Sequence, residues 1–151
     1  MKSIKTLLVL VLLCIATPLY AGDLQSDLIE KASESDLVFL GTVLKVMPYG
    51  NGEYSKCVVT FHVSLNFKGG TGYEDRKVYF SSTYCGMKPN EEYLVLAKKF
   101  EVPEVLQTLE IPERYIFVSI EFHELKILGY NIAREIGMEV KKEAEKAEQV
   151  K

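Results

Sequence analysis

The clearest alternation in the chain runs from Cys57 to Phe67. Cys57, Val59, Phe61, Val63, Leu65 and Phe67 are separated by Val58, Thr60, His62, Ser64 and Asn66. A period of two over that length predicts a strand with one face in a core and the other towards solvent. Before it, Leu24, Leu28 and Ala32 recur at helical spacing, with Asp23, Ser26 and Asp27 available to cap a short amphipathic helix. Leu37 to Val46 is a β-branched run that reads as a strand buried on much of both faces, with Gly41 marking a bend or bulge. Pro48-Tyr49-Gly50-Asn51-Gly52 is a dense turn signal, so the alternating strand returns antiparallel.

Lys68-Gly69-Gly70-Thr71-Gly72 reads as a flexible connection to a third strand, Arg76 to Ser82, with Val78 and Phe80 inward. Thr83 to Pro89 is a loop, Pro89 to Glu92 a turn, and Tyr93 to Lys98 a fourth strand. Glu101 to Glu113 reads as an extended loop or short helix. Arg114 to Phe122 is a fifth strand, with Ile116, Val118, Ile120 and Phe122 inward and a cover expected over Tyr115 and Phe117. From Asn131 onward, Ile132, Ile136 and Val140 predict a docking helix that runs into the charged stretch Lys141 to Glu148. The fold expected is mainly β with flanking helices: a five-stranded OB-like Greek-key barrel, with a short N-terminal helix and a C-terminal helix. A sandwich would show about seven strands. The barrel domain is assigned to 22–140 and a charged helical tail to 141–151.

The first residues have a different character. Lys2 and Lys5 precede an apolar run from Thr6 to Ala16, Pro18 breaks it, and Leu19-Tyr20-Ala21 leads into Gly22-Asp23. This is the layout of a cleavable secretory signal, residues 1–21, cut between Ala21 and Gly22, with cleavage after Ala16 as the fallback. A retained anchor is the alternative, but eleven residues reach roughly half of a 30 Å hydrocarbon core. Lipidation at Cys14 is a second alternative, and Leu12 and Leu13 stand where small residues are needed. The expected location is secreted or periplasmic, with no membrane span after cleavage.

Export changes the charge and the cysteine count. Eighteen basic residues less Lys2 and Lys5, against twenty-one acidic ones, leave −5 on the mature part. An acidic chain without a basic cluster argues against a nucleic-acid partner. Cys14 leaves with the signal, and the remaining pair, Cys57 and Cys85, is expected to be bridged in an oxidising compartment. The closed loop of about 29 residues is worth roughly 3.5 kcal/mol in the chain-entropy model. Two buried thiols are the alternative.

Catalytic constellations are sparse. The two histidines are His62, on the polar face of the alternating strand, and His123, beside Glu121 and Glu124. A metal or acid–base role needs a third ligand or an orienting group brought to them. Ser81-Ser82-Thr83 has no base spaced to activate it. The glycines after Lys68 lack the order of a phosphate loop. Tyr73, Tyr79, Tyr84 and Tyr93 cluster around the third and fourth strands, where outward aromatics can bind a peptide or glycan or simply pack the rim. No catalytic residue, metal ligand or cofactor site is assigned.

Three ordered segments resemble a known family. Ser35-Asp36-Leu37-Val38-Phe39-Leu40-Gly41-Thr42-Val43, then Phe61-His62-Val63 with Phe67-Lys68-Gly69, then Cys85-Gly86 with Glu92-Tyr93-Leu94-Val95-Leu96-Ala97, resemble tissue inhibitor of metalloproteinases-like, netrin-like domains. The resemblance spans about residues 35–98 and implies the netrin-like OB barrel. In those inhibitors an N-terminal Cys-x-Cys chelates the protease zinc, and Cys85 matches a position whose usual partner is the first of these cysteines. Here the mature chain starts Gly22-Asp23-Leu24 and has no cysteine before Cys57. The function expected is therefore a non-enzymatic exported module that binds another extracytoplasmic protein, with Tyr49, Tyr54 and Tyr84 as candidate surface residues. The alternatives are a protease inhibitor using the Tyr49 to Tyr54 connection, and a small hydrolase or metal-binding protein using His123 with a nearby glutamate.

Overall fold

The computed structural model describes residues 22–49, 56–70, 75–80, 86–101 and 115–150. The signal segment, Ala21, Tyr54, Cys85 and Tyr84 lie outside them, as do the glycine turn after Tyr49, the serines of 81–82 and the connection 102–114. Helix α1 (22–33) leads into β1 (Leu37–Tyr49), β2 (Lys56–Lys68), β3 (Asp75–Phe80), β4 (Glu92–Glu101) and β5 (Tyr115–Glu124). A one-turn helix, α2 (Leu125–Leu128), and a long one, α3 (Tyr130–Gln149), complete the order.

Antiparallel ladders join β1 to β2, β1 to β4, β2 to β3 and β4 to β5. The curled five-stranded sheet brings β3 and β5 together, among the described residues, at the parallel pair Tyr79↔Val118, in the order β1-β2-β3-β5-β4. Beyond Thr42 the described ladder partner of β1 is β2, and Pro48 sits in that stretch, where its missing N–H costs little. Pro48 and Tyr49, expected to turn, continue the strand opposite Cys57 and Lys56.

The sheet buries two cores. On its concave side Phe39, Val43, Val59, Phe61, Val63 and Val95 close together. The Phe39 and Phe61 rings meet edge to face at 5.4 Å, a geometry worth about 1 kcal/mol beyond burial. On the convex side Val38, Leu40, Leu94 and Leu96 meet Leu28 and Ala32 of α1 and Ala133, Ile136 and Val140 of α3. β4 is buried on both faces from Tyr93 to Ala97, which explains its unbroken apolar run.

Several strand faces differ from the simple alternation. Gly41 pairs with Val63 but Leu40 with Leu65, which leaves Ser64 as an extra residue; Phe67 is extra in the same way between Asn66 and Lys68. These bulges turn Leu65 and Phe67 away from the Val59–Val63 core and into the core beneath the helices. In β5, Leu96 pairs with Glu121 and Ala97 with Ser119, so Ile120 bulges out and is 42% exposed. Phe117, expected on the covered second face, packs against the concave core instead. In α3, Ala133 is buried, whereas Ile132, expected to dock, is exposed. The helix runs unbroken through residues 140 and 141 to Gln149.

The segments that carry the family resemblance have structural tasks. Ser35 is buried and its hydroxyl donates to Lys31 O at 2.8 Å, closing the end of α1. The Asp36 N–H donates to Ala97 O at 3.0 Å, and its carboxylate accepts from the Lys99 N–H at 2.8 Å. Lys68 Nζ donates to Ser33 O at 2.6 Å. Gly69, with φ +79°, brings the chain against Asp36 O. The Lys68-Gly69 step, expected to be a flexible connection, is therefore a tight junction between α1, β1 and β2.

Candidate functional site

Among the described residues, a concavity with exposed apolar walls lies where α1, α2 and α3 converge on the ends of β4 and β5. It has a volume of about 480 Å³ and is walled by Leu24, Tyr93, Phe122, Ile127, Leu128 and Ile132. Each element supplies its part for a local reason. β5 runs directly into α2 with Glu124 at the junction. The single turn of α2 buries Leu125 and leaves Ile127 85% exposed. Gly129, at φ +90°, redirects the chain into α3, whose Ala133–Ile136–Val140 stripe takes the sheet and leaves Ile132 to the groove. Tyr93 forms a buried wall: its hydroxyl accepts from the Lys88 N–H at 3.2 Å and its ring meets Phe122 edge to face at 6.1 Å. Leu24, Phe122 and Ile132 are all more than a third exposed.

A chain of polar and charged groups runs along one side. His123 Nε2 and Glu121 Oε1 are 2.8 Å apart, Glu121 Oε2 meets Lys31 Nζ at 3.0 Å, and Lys31 meets Asp27 at 2.8 Å. Glu121 and His123 lie two residues apart on the same face of β5, which directs both towards α1. His123 itself borders the groove. The hydrogen bonds to Asp27 and then to Glu121 hold the Lys31 ammonium above the usual lysine range. A raised folded-state value means that the contribution to stability is full below the ordinary lysine value and fades as pH rises through the raised one. The stability gap between the wild type and Lys31→Met is thus expected to stay constant around neutrality and shrink only in strongly alkaline solution. Urea titrations across pH check this, and a gap that widens with pH would contradict it. The gap is small, because these side chains are substantially exposed.

The structure brings His123 to Glu121, and Glu124 borders the same groove. His62 pairs instead with Asp75 at 3.1 Å across the β2–β3 ladder and is exposed. β2 and β5 share no ladder among the described residues, and no cluster of three potential metal ligands occurs among them. Cys57 is disulfide-bonded; the assignment of Cys85 as its partner lies outside the described residues. Gly22 opens α1, whereas Ala21 on the other side of the expected cleavage site is not described. The backbone of Tyr49 ends β1, but Tyr54 and Tyr84, and with them the connection invoked for an inhibitor, fall outside. A second, more polar hollow of about 630 Å³ lies between Gly69-Gly70 and the end of α3. Lys68, at its edge, is already bonded to Ser33 O.

The groove walls are hard to find from sequence. Ile132 belongs to the apparent docking stripe of α3, Phe122 to the expected inward face of β5, and Ile127 falls between the predicted elements. Ile127, a large aliphatic beside charged Lys126 and outside any predicted element, is the available signal. No helix among the described residues is long and apolar enough to cross a membrane. No family model matches the chain, and no curated protein matches it.

Proposed function

We propose that this chain is an exported, non-enzymatic protein-binding module that holds a segment of another extracytoplasmic protein in the α1–α2–α3 groove. The observation that carries this reading is the set of exposed apolar side chains, Leu24, Phe122, Ile127 and Ile132, around one concavity. Concave apolar surface with a few polar groups is what binding sites present. The secretory pattern of residues 1–21 and the disulfide at Cys57 support an oxidising compartment. An OB-type barrel of the netrin-like kind is supported by the strand order β1-β2-β3-β5-β4 and the parallel approach of β3 to β5. The residues behind the inhibitor-family resemblance hold α1, β1, β2 and β4 together, so they speak for a shared scaffold more than for protease inhibition.

The test is a photo-crosslinking amino acid placed at Ile127 or, as a control, at exposed Lys77 on β3, in cells that export the protein. A discrete protein adduct is expected from position 127 and none from position 77. Absence of an adduct at 127, or the same adducts at both positions, overturns the reading.

A further inference from the structure

The chemistry around the groove narrows the partner. Of the described side chains that line it, Glu124 is the one carboxylate. Glu135 accepts from the lining Gln25 at 3.4 Å, and Glu121 is bonded to the lining His123. Exposed Asp23 and Glu92 flank the lining Leu24 and Tyr93 in sequence. The nearby cations are largely taken: Lys31 is held by Asp27 and Glu121, and Lys126 by Glu91. Lys88, whose backbone reaches Tyr93, Arg134 beside Glu135 on α3, and the Gly22 amine of the exported chain are the opposing charges, fewer than the acidic groups named. An apolar floor inside a negative rim attracts apolar groups flanked by cations.

The backbone limits how such a partner is read. At the groove, Tyr93 of β4 pairs with Glu124 of β5, and β4 pairs on its other side with β1. β4 therefore offers no free edge there to extend, and on that strand recognition falls to side chains. A volume of about 480 Å³ takes a few aliphatic side chains and not a whole element. Anchors at helical spacing on one face of an amphipathic helix meet both conditions.

We propose that the groove receives an amphipathic helical segment of a partner protein whose apolar anchors are flanked by lysine or arginine. This rests on the groove being the binding surface. Three fluorescent peptides test it on the exported protein: one with leucines at helical spacing and lysine flanks, one with the same leucines and glutamate flanks, and one with the lysine-flanked composition scrambled. The lysine-flanked peptide is expected to bind at least about tenfold tighter than either other, and to weaken as salt is raised. Ile127→Asp removes the binding. Glu124→Lys cuts the preference for lysine over glutamate flanks severalfold, a readout that loss of folding would not give. Equal or tighter binding of the glutamate-flanked peptide, still abolished by Ile127→Asp, overturns the cationic partner and leaves the groove reading standing. Binding to none of the peptides, or binding indifferent to Ile127→Asp, also overturns this proposal; the crosslink at Ile127 then decides the groove reading separately.

Discussion

Gly69→Ala is expected to destabilise the protein by at least about 3 kcal/mol, a large share of the roughly 5–15 kcal/mol that holds a domain folded. Gly69 has φ +79°, a conformation that costs an L side chain on the order of 1–2 kcal/mol by itself. A methyl group there would also lie 1.9 Å from Asp36 O and 2.9 Å from Asp36 C. These are backbone atoms, and they have little room to withdraw. The Asp36 N–H is bonded to Ala97 O and the Asp36 carboxylate to the Lys99 N–H, so retreat would detach β1 from β4. Thermal melts should show a midpoint lower by roughly 10 °C or more. Gly22→Ala, with nothing within 4 Å of the added methyl, serves as the control and should be nearly neutral. A Gly69→Ala protein as stable as that control would mean that the junction is not built as described.

Gly137→Ala should also destabilise, against the intrinsic preference of a helix. Glycine inside a helix is worse than alanine by about 1 kcal/mol, so on propensity alone the change stabilises α3. In the fold, a methyl at Gly137 would sit 2.2 Å from the Phe67 ring, which presses against the helix at that point. Overpacking of this kind costs roughly 1–3 kcal/mol or more where the ring cannot step aside. Phe67 is nearly fully buried among Leu40, Leu96, Ile136 and their neighbours, so it has little freedom to do so. The expected net loss is about 1–2 kcal/mol. Phe67→Leu alone loses stability through a cavity, but the double variant should be more stable than the sum of the single losses, with a coupling of about 1 kcal/mol or more. Urea unfolding of the four proteins measures it. A stabilising Gly137→Ala would show that the helix stands further from the sheet.

Both expectations reverse a plausible reading of the sequence. Lys68-Gly69-Gly70 resembles a flexible connection because glycine permits many conformations, and nothing local reports that Asp36 O lies against Gly69. Gly137 resembles a weak point in a helix, since its contact with Phe67 joins residues seventy positions apart. The groove has the same character. Its walls come from Leu24, Tyr93, Phe122, Ile127 and Ile132, which no single window of sequence contains. His123 was legible as a polar residue among carboxylates. Its attachment to Glu121, and through it to Lys31 of α1, required the two strand residues and the helix to be placed together.

By itself the sequence determined the local elements: a helix at Leu24–Ala32, five strands and a long C-terminal helix. Those elements come from nearest-neighbour geometry, because a period of two or of 3.6 is a property of one segment's own backbone. The alternation also placed Val59, Phe61 and Val63 on the core face, and the tertiary structure decided where along a strand that facing changes. The extra residues at Ser64, Phe67 and Ile120 exist only relative to a partner strand, and each reverses the facing of the strand residues beyond it. That is why Leu65 and Phe67 serve the helices instead of the concave core. Glycine roles, the charged chain to His123 and the open groove were likewise decided at this level, since each is a distance between segments and not a pattern within one.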